Sequence, residues 1–127
     1  SVIEELTAAF EISSEAPRFC DVWPSDITFS LNGVILGTWT SPGDYGNRRG
    51  KYNPSWWFSF LNQYGLLKKL TITPEGTFLD TEKLSDVSTR QLALTDQSVM
   101  KLRFSVLPGA EHPGGCTLFG AGFGDYN

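Results

Sequence analysis

The chain has 127 residues with 40% hydrophobic, 13% aromatic and 19% charged side chains, a formal net charge of −4 and a pI near 4.8. That length suits one domain with one core, and an aromatic share this high sets the chain apart from disordered sequences. The acidic balance excludes a chain that grips a nucleic-acid backbone by itself, because phosphate binding draws on clustered Lys and Arg. The longest nearly unbroken apolar run, 56–61, is far short of the roughly 20 residues that cross a bilayer, and no basic segment precedes an apolar core at the N-terminus.

In chain order, Leu6, Ala8, Phe10 and Ile12 alternate with Thr7, Ala9, Glu11 and Ser13, which predicts a strand over 5–14 with its first set toward a core and its second toward solvent. Ile27, Phe29 and Leu31 alternate with polar neighbours. Asn32-Gly33 then leads into Val34, Ile35, Leu36 and Trp39, the hairpin signal of a type I′ turn. Pro42, Gly43, Gly46, Gly50 and Pro54 make 41–54 a long irregular loop, and loops of that length in a compact domain tend to be functional. A strand is expected over 66–73, a turn at Pro74-Glu75-Gly76 and a return strand over 77–79. The segment 84–94 fits neither period cleanly. Val99 to Leu107 alternates again, and 116–119 reads as a short strand. No helix longer than about two turns is expected, the best candidates being 54–63 and 89–94. Gly120, Gly122 and Gly124 read as a bend before a further strand. The fold class expected is an all-β antiparallel sandwich over 1–127 with one or two short helical turns.

Catalytic chemistry has little to stand on. His112 occupies a Pro/Gly loop with no Cys, Asp or Glu at metal-ligand spacing and reads as a solvated loop histidine. No nucleophile elbow or phosphate loop is present, so an enzyme, a metal centre and a cofactor are not expected. Asp21, Asp26 and Asp44 are the carboxylates available to pair across a cleft, although turn formation is the commoner use of such residues. Cys20 and Cys116 read as two reduced thiols of a cytosolic protein.

The segment 39–57 is different in kind. It holds Trp39, Asp44, Tyr45, Arg48, Arg49, Asn53, Trp56 and Trp57, planar faces that stack on sugars or organic cations beside side chains that supply directional hydrogen bonds. With Trp23 and Asp26 from the preceding loop, these ten form the candidate ligand site. The alternative is that the tryptophans plug one end of the sandwich while Arg48 or Arg49 pairs with Asp44 or Asp26.

Trp23-Pro24-Ser25-Asp26-Ile27, Gly37-Thr38-Trp39-Thr40-Ser41-Pro42-Gly43-Asp44, Arg48-Arg49-Gly50, Trp56-Trp57, Gln63-Tyr64-Gly65-Leu66-Leu67-Lys68, Leu118-Phe119-Gly120 and Phe123-Gly124-Asp125-Tyr126 together resemble the C-terminal domain of bacterial ArsR-type winged-helix transcriptional regulators. The strand, Asn-Gly turn and strand ending in Gly-Thr-Trp is also similar to the jelly-roll domains of the galactose-binding type. The resemblance implies a regulatory domain of a cytoplasmic protein. It would bind a small polar ligand such as a carbohydrate, form a homodimer, or both, and would reach operator DNA only through a winged helix outside this chain. It also implies a last strand after Asp125-Tyr126. Two other readings accompany it: a carbohydrate-binding module of a glycosidase, and a purely structural dimerisation module.

Overall fold

The computed structural model of the chain describes residues 1–126. Its eight strands run β1 (Leu6–Ser13), β2 (Ser25–Leu31), β3 (Val34–Ser41), β4 (Leu66–Thr73), β5 (Gly76–Leu79), β6 (Glu82–Ser85), β7 (Leu102–Ser105) and β8 (Thr117–Phe119). The only helix among the described residues is the single turn α1 (Thr89–Leu92), capped by the Ser88 side chain, which accepts from the Gln91 amide. All pairings between strands are antiparallel. One sheet has the order β6-β5-β4-β1-β8 and the other β3-β2-β7. The structure is therefore an all-β sandwich.

Both sheets supply one core. Ile12, Leu70, Ile72 and Leu79 come from the larger sheet, and Ile27, Phe29, Leu31 and Leu36 from the smaller. Phe10, Phe29 and Phe104 lock the two together, with centroids 5.6, 4.9 and 5.6 Å apart and two of the three pairs edge-on, the arrangement that aromatic quadrupoles favour.

The Asn-Gly hairpin forms where expected, with φ of 49° at Asn32 and 82° at Gly33. Asn32 also ties the turn to the approach of β7. Its side chain accepts from the Lys101 amide at 2.7 Å and donates to the Val99 carbonyl at 3.0 Å. Opposite Phe29 and Ser30 the register of β3 slips by one residue, and Leu36 lies fully buried next to this bulge. Gly37 lets the bulged strand pass Leu84, whose Cβ would stand 2.7 Å from a Cβ at that position.

Three expectations are corrected. Residues 54–63 form turns rather than a helix, because side chains take the carbonyls a helix would use: Arg49 donates to those of Pro54, Ser55 and Trp57, and Gln63 to those of Phe58 and Leu61. The strand expected over 99–107 shortens to Leu102–Ser105. Glu11, assigned to the solvent face, is only 3% exposed. Among the described residues no helix is long and apolar enough to cross a membrane.

Candidate functional site

The long loop between β3 and β4 holds no regular element. Two isolated bridges organise it, Cys20 with Asp44 and Tyr45 with Tyr64. Several of its polar side chains bond to partners of the same chain, Asp44 in the interior and Arg48 and Arg49 at the surface. The Arg48 guanidinium grips the Asp125 carboxylate at 2.9 and 2.6 Å and lies 3.9 Å over the Tyr64 ring. This ion pair holds the Asp125 carboxyl below the usual range and raises Arg48 further. Arg49 gathers the carbonyls of Pro54, Ser55 and Trp57. The Asn53 amide donates to the Gln63 carbonyl and side chain at 2.9 and 2.8 Å and accepts from the Gly124 amide. Neither arginine pairs with Asp44 or Asp26, the partners anticipated from the sequence.

Asp44 is 1% exposed. Its Oδ2 accepts from the Ala16 amide at 2.8 Å, and burial, reinforced by the negative charge of Glu15, pushes its carboxyl up to about 6 against the pull of that amide. Tyr45 stacks on Tyr64 at 5.4 Å, and burial raises its phenol. Asp26 accepts from the Thr40 hydroxyl at 2.7 Å and from the His112 backbone amide at 2.9 Å, and its carboxylate lies 3.1 Å from His112 Nδ1. The Thr40 bond leads in lowering its carboxyl. His112 is thus half-buried against a carboxylate, rather than a lone solvated side chain. Trp23 donates from Nε1 to the Gly114 carbonyl at 3.1 Å, and Trp39 packs against the core with Lys68 5.2 Å above its ring. Both thiols are free, and burial drives that of Cys116 up to about 11.

Three of the ten sequence-selected residues therefore gather in one network around the C-terminal segment, Arg48, Asn53 and, through Tyr64, Tyr45, while Arg49 ties the loop to 54–57. Glu11 is the member that sequence reading missed. Its carboxylate accepts from the amides of Gly65 at 2.8 Å and of Asp125 and Tyr126 at 3.0 Å. The one local signal was a charged residue in the middle of an otherwise weakly polar strand face.

Beside this network, one of the open clefts is aromatic. Trp57, Phe119 and Phe123 wall a cleft of about 350 Å³, with Leu118 beside them and Glu15 and Asn62 contributing a carboxylate and an amide. Trp57 meets Phe123 edge-on at 5.2 Å, and its Nε1 donates to the Asn62 carbonyl at 2.8 Å, so the indole is fixed before any ligand arrives. Trp56 stands 67% exposed against both rings, and Phe58 and Phe60 stack on each other at 5.2 Å, 60% and 47% exposed. Among the described residues no group of three or more His, Cys, Asp or Glu side chains is placed to hold a metal ion. Comparisons with protein-family models, with curated proteins and with solved structures found no match to this chain.

Proposed function

We propose that this chain is the ligand-binding regulatory domain of a cytoplasmic bacterial regulator of the ArsR winged-helix type. Its ligand is a small polar molecule, a carbohydrate in the first instance, bound in the cleft between Trp57, Phe119 and Phe123. The observation that carries the reading is that cleft: about 350 Å³, within the range of small-molecule sites, with aromatic faces for an apolar sugar face and two polar groups for its hydroxyls. The packing of five strands on three is compatible with the galactose-binding-like jelly roll to which the strand, Asn-Gly turn and strand unit is similar. Operator DNA is contacted by the winged helix and not by this acidic domain. Ligand binding acts on the regulator through a difference in affinity between two arrangements of its parts.

Among the residues selected from sequence the ligand contact belongs to Trp57, with Trp56 packed on Phe123 beside it, while Asp44, Arg48, Arg49 and Asn53 hold the loop that presents them. A calorimetric and thermal-shift screen of sugars and sugar acids tests this. A hit that raises Tm and is lost in Phe123→Ala supports it, and a screen in which no sugar or sugar acid shifts Tm overturns it. The exposed Trp56 and the exposed Phe58–Phe60 stack favour a homodimer formed through this loop. Sedimentation checks that reading, a monomer at all concentrations excluding it.

A further inference from the structure

Three buried side-chain oxygens find no hydrogen-bond partner among the described residues: Ser25 Oγ, Ser41 Oγ and Asp44 Oδ1. They come from one junction of the fold. Ser25 opens β2 and pairs in register with Ser41, which closes β3. Asp44 follows three residues on, its Oδ2 fixed by the Ala16 amide. The end of β1 is tied to the same stretch, since the Ser14 amide donates to the Gly43 carbonyl at 3.0 Å and its hydroxyl to the Ser41 carbonyl at 3.4 Å.

No ion pair among the described residues reaches Asp44. The charged group that acts on it is Glu15, of the same sign. A buried carboxylate with one amide donor and no counter-charge is a costly arrangement, and a buried hydroxyl without a partner adds to the cost. Carboxylate and hydroxyl oxygens left without partners are, by contrast, of the kind a hard cation takes as ligands.

We propose that Asp44, Ser41 and Ser25 form a site for a hard divalent cation of the Ca²⁺ type, with Asp44 Oδ1 as the anionic ligand. Backbone carbonyls of the junction and water complete the shell. Ca²⁺ is favoured over Mg²⁺ because an irregular ligand set drawn from two strand ends and a loop suits its flexible geometry better than a strict octahedron. A single carboxylate sets a weak affinity, with Kd on the order of 10⁻⁴ to 10⁻³ M. The site is separate from the aromatic cleft, and neither proposal depends on the other.

The test uses the full chain stripped of metal with a chelator. Thermal unfolding is followed while CaCl₂ or MgCl₂ is raised to about 10 mM at constant ionic strength, which exceeds the expected Kd at least tenfold. Tm is expected to rise and saturate with Ca²⁺ and to respond less to Mg²⁺. Tb³⁺ supplies a second readout. Trp23 brackets the junction, its amide on the Pro42 carbonyl at 2.9 Å and its Nε1 on the Gly114 carbonyl, so excitation of tryptophan should sensitise Tb³⁺ emission that Ca²⁺ then competes away.

Asp44→Asn is expected to abolish both signals. Ser41→Ala covers the case in which that variant does not fold: at a cation site it weakens the Ca²⁺ midpoint several-fold. The proposal is overturned if Ca²⁺ leaves Tm unchanged, as it would were the three oxygens simply hydrated. It is equally overturned if the Ca²⁺ response survives undiminished in Asp44→Asn, or in Ser41→Ala where that is the variant that folds.

Discussion

Glu11 and Asp44 are both buried carboxylates of this sandwich, and their surroundings set them to opposite uses. All the partners of Glu11 are donors, the backbone amides of Gly65, Asp125 and Tyr126. Glu11→Gln therefore turns an NH₂ group toward another N–H at one of these contacts. A loss on the order of 2 kcal/mol is expected in denaturant unfolding, with faster hydrogen exchange at the Asp125 and Tyr126 amides. Asp44 has a folded-state carboxyl raised to about 6 from 3.8, so its contribution is full below pH 4 and is lost as the pH climbs through 6. In metal-free protein the stability difference between wild type and Asp44→Asn should fall by on the order of 3 kcal/mol between pH 4 and pH 7. A difference that stays flat over that range would show that Asp44 ionises as a solvated carboxyl does.

Among the elements, the β2–β3 hairpin sets backbone strain alone beside strain joined to a packing clash. A Cβ at Gly33 would meet nothing within 4 Å, so Gly33→Ala bears only the cost of its φ of 82°, about 1 kcal/mol. At Gly37, where φ is also positive at 154°, the added methyl meets Leu84 as well, and Gly37→Ala should lower stability further; comparing the two denaturation midpoints checks the ordering. The same hairpin shows what local pattern can reveal. Period-2 alternation and turn chemistry located β1, both hairpin strands, β4 and β5 to within about two residues, since those signals lie within a few positions of each other. The pattern could not give the burial of Glu11, whose cover lies 114 and 115 residues away, nor the turns of 54–63, which depend on where Arg49 and Gln63 spend their donors. The candidate site was legible in part for the same reason. Residue type marked 39–57 as unusual, but which of its side chains fold inward depends on Asp125 and Phe123, far along the chain.

At the scale of the whole molecule, one aromatic triad joins the two sheets. Phe29 is fully buried between Phe10 and Phe104, and Phe29→Ala should cost about 3–5 kcal/mol. Because both sheets share that core, far-UV dichroism and tryptophan fluorescence are expected to follow one transition in wild type and variant; separated midpoints would mean that the sheets unfold independently. The position of β1 adds a temporal consequence. It lies between β4 and β8, pairing Glu11 with Leu67 on one side and with Phe119 on the other. During synthesis β1 leaves the ribosome before the other seven strands, yet one of its edges stays bare until β8 follows. Closure of that edge waits for β8, so folding should be slow for a domain of this size, and nascent chains cut before β8 should carry an exposed, aggregation-prone strand edge.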